Sequence, residues 1–246
     1  MARRSAAKLQ IGMVEHETLH ERIYRELRRA LMSGAVRPGQ SLSYRGLAEA
    51  LGTSPMPVRD AVRRLISERA LEALPNRTIA VPTLSTRNID EIYKIRISLE
   101  GLAAEEAAGL VSDRLVGELE TLEDQMEETL KAGDIRRFMD QNWRFHFKIY
   151  GAAEMPQLTE VIENFWLQIG PLVSQQAPQT HGDIIFAHHR SAVGALKRRD
   201  GPAARAAIAA DLADARIALL EAMNRPKETV APSRARRPRK TPAIAG

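Results

Sequence analysis

Apolar residues recur at helical spacing along most of the chain. Ile23, Leu27 and Leu31 form an i, i+4, i+8 stripe behind Thr18-Leu19-His20-Glu21, whose residue types match a helix-starting capping box. That helix is expected to stop at Ser33-Gly34, with Val36-Arg37-Pro38-Gly39 as a turn. Ser43 opens a second, short helix carrying Leu47, Ala50 and Leu51 on one face, and Gly52 closes it. Ser54 and Pro55 start a third, in which Val58, Ala61, Val62, Leu65 and Ile66 point inward. The side chain of Ser54 is expected to accept a hydrogen bond from the free N–H groups of this helix. Two β-prone runs, 72–74 and 78–81, flank Pro75-Asn76-Arg77 and predict a hairpin. Helix, tight turn, basic helix and hairpin, in that order, describe a winged helix-turn-helix.

From 86 to 224 the pattern is helical throughout. Breaks are expected near Ala132-Gly133, between Gly151 and Pro156, at Gly170-Pro171 and at Asp200-Gly201-Pro202, giving six or seven helices and no sheet. Leu115, Leu119, Leu122, Met126 and Leu130 make one uninterrupted core stripe. The predicted fold class is therefore mainly α: a winged helix-turn-helix of three helices and a hairpin over 16–82, then an all-helical bundle over 86–224. Residues 1–15 read as a flexible arm, and 225–246, rich in Pro, Ala and Arg, as a disordered basic tail.

Charge sharpens this division. Residues 1–82 carry 14 basic and 8 acidic side chains, residues 83–224 carry 15 and 22, and residues 225–246 carry 7 and 1. Only the first segment and the tail suit a polyanionic partner. Arg59, Arg63 and Arg64 lie on the third helix and Arg77 at the hairpin tip; guanidinium groups fit both phosphates and guanine edges. The plainer reading of Arg63 and Arg64 is a solvated face touching phosphate or water. The chain has no cysteine, so disulfides and thiolate metal sites are excluded. Neither a bilayer-crossing apolar run nor a secretory leader is legible, which places the protein in the cytoplasm by expectation.

Several helical stripes of the second domain are interrupted by polar residues. Arg96 sits among Ile89, Ile92, Leu99 and Ala103, and Asn142 and His146 among Phe138, Phe145 and Ile149. His189 sits among Ile185, Ala192, Val193 and Leu196, and Asp211 among Ala204, Ile208, Leu212, Ala215 and Leu219. Burying such groups without partners costs several kcal/mol, roughly 2–7 for an unpaired amide or hydroxyl, so the economical arrangement brings them together. Two imidazoles, a carboxylate and an amide oxygen can hold a divalent first-row metal, with zinc first and nickel, manganese or iron as alternatives. A purely structural polar cluster is the competing interpretation. His188 falls off its stripe and reads as surface. Arg96 could simply pair with Glu100 one turn on, but its place on an otherwise apolar face argues instead for a buried anion, with a small carboxylate ligand as the natural candidate.

The words LHERIYRELRRALMSGAVRPGQSL, LAEALG and PVRDAVRRL, followed by the hairpin, resemble the DNA-binding domain of the GntR family of bacterial regulators over about 18–82. That resemblance implies DNA contacts from Arg45, Arg59 and Ser54; it departs from the family at Pro55, where arginine is common, at Gly46, and in a wing without glycine. IYKIRISLEGLAAEEAA, NWRFHFKIYGAAEMPQL and HHRSAVGALKRRDGPAARAAIAADL resemble the FCD ligand-binding domain of the family's FadR-type branch. The resemblance implies that Asn142, His146, His189 and Asp211 are the metal ligands, with Asn in place of the family's Asp and Asp in place of its last His. It also implies a small organic or sugar acid as effector, held by the metal and by Arg96. The whole then reads as a homodimeric transcription regulator, commonly a repressor, on operator DNA, and not an enzyme. A helical metalloenzyme is the rival from another class, although a general base beside the ligands is missing, and a nucleoid-type DNA-binding protein is a third.

Overall fold

In the computed structural model, residues 18–75, 78–176 and 182–224 are described. Thr18 caps α1 (Leu19–Met32) in a reciprocal capping box with Glu21. The helix buries Ile23, Tyr24, Leu27, Leu31 and Met32. It ends at Ser33, and Gly34 follows at φ +68°, where a Cβ would collide with Ser174 Oγ at 1.8 Å. Ser43 caps α2 (Tyr44–Ala50) by accepting from the Gly46 N–H at 3.0 Å. α3 (Pro55–Ser67) follows a short turn and buries Val58, Ala61, Val62 and Leu65 against α1 and α2.

The small sheet departs from the expected hairpin. Three strands, β1 (Ser41–Leu42), β2 (Glu72–Ala73) and β3 (Ile79–Ala80), lie in the order β1-β3-β2, all antiparallel. Ser41 faces Ala80 and Leu42 faces Ile79, so the strand ahead of α2 pairs with the inner edge of the wing. A two-residue strand carries too little alternation to be read from sequence, and only its fully buried partner Ile79 gives it a place to pack. The wing tip, Asn76 and Arg77, lies outside the described residues.

The second half is entirely helical among the described residues: α4 (Thr86–Leu110), α5 (Asp113–Lys131), α6 (Ile135–Ala152), α7 (Pro156–Gln176), α8 (Gly182–Lys197) and α9 (Gly201–Asn224). α4 packs along α9, α8 covers α9, and α5 lies against α6 and α8. α7 and α6 also touch α1, joining the two halves through one continuous apolar core. No helix of the described residues is long and apolar enough to cross a membrane.

Two boundaries differ from expectation. No break occurs at Gly170-Pro171; α7 runs through to Gln176 with Pro171 inside it. The glycine serves packing instead of termination. A Cβ on Gly170 would stand 2.9 Å from Met32 Cα and 3.1 Å from the Leu31 carbonyl oxygen, so its absence lets α1 lie against the α7 backbone. An unanticipated break falls at Val111-Ser112, where Val111 turns extended and Ser112 caps α5 by accepting from the Leu115 N–H at 3.2 Å.

Candidate functional site

Side chains from α6, α8 and α9 converge in the second domain. His146, His189 and Asp211 are all buried, and each offers a ligand atom within 4.8 Å of the other two. His146 Nε2 stands 3.5 Å from Asp211 Oδ2, and His189 Nε2 stands 3.9 Å from Asp211 Oδ1. The rings are held in place by aromatic neighbours: Phe145 stacks on His189 with centroids 4.2 Å apart, and Trp166 lies 5.4 Å from His146. Asn142 is half-buried on α6, one turn before His146. His188 points elsewhere and meets Asp214 at 2.8 Å.

A hydrogen-bond chain fixes the tautomer of His146. Tyr150 donates its single hydroxyl proton to Glu100 Oε2 at 2.6 Å. Its oxygen lies 3.0 Å from His146 Nδ1, so that nitrogen must be the donor. In the neutral ring, Nε2 then carries a lone pair directed toward Asp211. The ring is neutral at ordinary pH, because burial, the nearby His189 and then Arg96 hold its pKa well below 6.5. Burial, with His188 adding to it, pushes His189 down to about 3. Burial pushes Asp211 up to about 7, opposed by His188 and Arg96.

Both ring nitrogens of His189 are buried without a hydrogen-bond partner among the described residues. Orphaned buried imidazole nitrogens are costly in a polar cluster that exists only for packing. Lone pairs of two neutral imidazoles facing one carboxylate form the donor set that a divalent cation satisfies, at the expense of one proton on Asp211. By this test the residues present fit a metal.

Arg96 is buried on α4, and the i+4 pairing is the one found: its Nε reaches Glu100 Oε1 at 2.6 Å and Nη2 reaches Oε2 at 3.4 Å. Its guanidinium lies over Trp166 at 4.6 Å and Tyr93 at 4.9 Å. Burial opposes the charge, but Glu100 and Tyr93 outweigh it and hold the group protonated. The charge of Arg96 is thus met within the protein by Glu100, where an external anion was expected. Glu100 also accepts from Trp166 Nε1 at 3.0 Å and ties Arg96 to Tyr150 and the histidines. Tyr150 is the member that sequence reasoning missed; its place one turn after His146 was the available signal.

At the other end of the molecule, Arg59 and Arg63 stand one turn apart on the exposed face of α3, opposite Val58, Val62 and Leu65. Arg59 rests over the Tyr44 ring at 4.8 Å, and Arg63 meets Asp60 only at 3.4 Å. Arg45 on α2 is 87% exposed and pairs with Glu49 at 2.9 Å. Such solvent-exposed pairs contribute about 0–1 kcal/mol and exchange readily for phosphate. Ser54 precedes α3 as expected but makes no side-chain cap bond, a correction with a simple cause. Pro57 occupies the third helical position, where the usual N–H donor to a capping hydroxyl is missing. The Ser54 hydroxyl is therefore left exposed at the start of the helix.

Arg64, 52% exposed, has partners of its own within the protein. Its Nε pairs with Glu68 Oε1 at 3.1 Å, and its guanidinium lies 3.9 Å over the Tyr24 ring. Tyr24 donates to Glu68 at 2.5 Å and accepts from Arg28 Nη1 at 3.2 Å. Arg28 Nη2 in turn reaches Glu163 of α7 at 2.6 Å. Arg64 thus belongs to a chain joining α3, α1 and α7, at the edge of the exposed face that bears Arg59 and Arg63.

Known proteins share both halves of this arrangement. The family model for bacterial regulatory proteins of the gntR family matches residues 19–81, and that for the FCD domain matches residues 91–214. The HTH-type transcriptional regulator McbR of Escherichia coli (strain K12) is 35% identical over 160 residues, 65% of this chain and 72% of its own. The gluconate operon transcriptional repressor of Bacillus subtilis (strain 168) is 29% identical over 189 residues, 73% of this chain and 76% of its own. The solved structure of E. coli McbR/YncC superposes with a TM-score of 0.79 at 30% identity, covering 85% of this chain and 99% of that one. The chain belongs to the GntR family of bacterial transcriptional regulators, with a GntR helix-turn-helix domain followed by an FCD domain.

Proposed function

We propose that this regulator is a homodimeric repressor whose FCD domain holds a divalent metal and senses a small carboxylic acid. Arg45, Arg59 and Arg63, with the Ser54 hydroxyl at the start of α3, form the DNA-facing set; two copies related by a two-fold axis read a pseudo-palindromic operator. His146, His189 and Asp211 hold the metal, zinc in the first instance, and Asn142, one helical turn before His146, is the candidate for a further oxygen ligand. When bound, the ion supplies a Lewis-acidic anchor for a carboxylate.

The protein's own residues do the rest. Tyr150 and Glu100 keep the His146 lone pair turned toward the centre. Phe145 and Trp166 fix the rings and exclude water. Arg96, already matched by Glu100, holds that scaffold in place and shares its guanidinium with an entering carboxylate. The observation that carries the reading is the buried, unpartnered Nε2 of His189, 3.9 Å from the Asp211 carboxylate. Repression is favoured by the named role of the gluconate operon relative.

An effector acts only through a difference in its affinity for the two states of the protein. The test begins with selection of duplexes from a random pool by the full-length protein. Organic and sugar acids are then titrated against the selected complex, with EDTA and with zinc. A palindromic consensus released by one acid, in zinc only, supports the proposal. A complex that no acid disturbs in either condition contradicts it.

A further inference from the structure

Met56 is 76% exposed, the most of any large apolar side chain among the described residues, and it takes no part in the hydrophobic core. Single exposed apolar residues are ordinary on protein surfaces, so exposure alone assigns nothing. Its position does. Met56 lies in the first turn of α3, the second helix of the helix-turn-helix, and the early residues of such a helix meet base edges in the major groove. At 3.6 residues per turn it shares one exposed face with Arg59, Asp60 and Arg63, opposite Val58, Ala61, Val62 and Leu65.

Two features turn this part of the face from phosphate toward base edges. Helix starts ordinarily hold phosphate through free N–H groups, but Pro55 and Pro57 leave Met56 as the single N–H donor among the first three positions. Asp60 adds an exposed carboxylate one turn on, which meets Arg63 only at 3.4 Å and repels phosphate. What the groove offers an apolar side chain is the C5-methyl group of thymine, which marks that base among the major-groove edges. The flexible, unbranched thioether of methionine adapts to such a contact.

We propose that Met56 is a specificity-determining residue that covers the C5-methyl of one thymine in each operator half-site, beside the guanidinium groups of Arg59 and Arg63. This rests on α3 facing DNA, as in the function proposed above.

Full-length protein is used to select duplexes from a random pool. Each thymine of the selected site is then replaced in turn, in both half-sites, by deoxyuridine, which lacks only that methyl. Affinities of the wild type, Met56→Ala and Arg59→Ala are measured by fluorescence anisotropy, with melting curves as a folding check. One thymine position is expected at which loss of the methyl weakens wild-type binding by about three- to fivefold, the scale of one buried methyl group. Met56→Ala binds the thymine duplex more weakly by at least that factor and is indifferent to deoxyuridine at that position. The other positions act alike in both proteins. Absence of a sensitive thymine in the wild type, an undiminished response in Met56→Ala, or a pool without consensus overturns the proposal. Arg59→Ala separates its failure from that of its premise. Unchanged affinity in Arg59→Ala would mean that α3 does not face DNA and would sink both. Weakened binding there, with an undiminished methyl response in Met56→Ala, would sink the role of Met56 alone.

Discussion

Arg28 of α1 and Glu163 of α7 meet at 2.6 Å, with side-chain exposures of 15% and 27%, and this contact ties the DNA-binding domain to the FCD domain. Glu163 lies three residues before Trp166, which reaches Glu100 beside the histidine centre. One helix therefore touches both the centre and the domain that bears the recognition helix. Replacing Glu163 by Gln is expected to cost about 1–2 kcal/mol, between the values for exposed and buried pairs. It should also speed amide hydrogen exchange across α1. Unchanged exchange in α1 would mean that the contact does not hold the domains together.

Gly170 is expected to be intolerant of a methyl group. On helix propensity alone, Gly170→Ala would stabilise α7 by about 0.5–1 kcal/mol. The Met32 backbone 2.9 Å from the added Cβ opposes this, and overpacking costs about 1–3 kcal/mol. A lower melting temperature is predicted by calorimetry; a higher one would show that α1 is not seated on α7 as described.

Arg59 and Arg64 should separate in their effects. Arg59→Ala is expected to weaken binding to a selected operator by about tenfold or more, the scale of about 1–3 kcal/mol for a specific contact. Arg64→Ala should instead lower stability, because it removes the cation over Tyr24 and the partner of Glu68, with a smaller change in DNA affinity. Denaturant titration and fluorescence anisotropy on both variants measure the two effects. A larger loss of affinity in the Arg64 variant would return that residue to the DNA-facing set.

Glu123 is expected to give the protein a pH dependence separate from the His146–His189–Asp211 cluster. Its side chain is 10% exposed, and burial raises it to about 7 although Arg190 lies at 3.2 Å. A raised folded-state pKa means that its contribution is fully present below the unfolded value of about 4.5 and is lost as pH rises through about 7. Wild-type stability relative to Glu123→Gln should therefore fall between pH 5 and 8, by on the order of 2–3 kcal/mol. Denaturant midpoints of both proteins across that range check it, and parallel curves would contradict it.

Much of this was legible in the sequence because the chain states it locally. The capping box at Thr18, the cap at Ser43 and the turn at Gly52 are short-range signals, and each forms as read. The interrupted stripes located His146, His189 and Asp211, since a polar residue on an apolar face must find company inside. What stayed hidden depends on distant partners. Gly170-Pro171 looks like a terminator until α1 is laid against it. Arg64 looks like its neighbours Arg59 and Arg63 until Tyr24 arrives from another helix. Tyr150 resembles any core aromatic, and only the fold places its hydroxyl between Glu100 and His146.

Under the function proposed above, His146, His189 and Asp211 hold a metal ion. Equilibrium dialysis of the EDTA-stripped protein against zinc, followed by elemental analysis, tests it most directly, with His189→Ala and Asp211→Asn run beside the wild type. One tightly held zinc per protomer, released by chelator, is expected, with binding reduced at least a hundredfold in both variants. Absence of zinc, nickel and manganese from the wild type, or equal binding by the variants, would contradict it and leave the three residues a structural cluster.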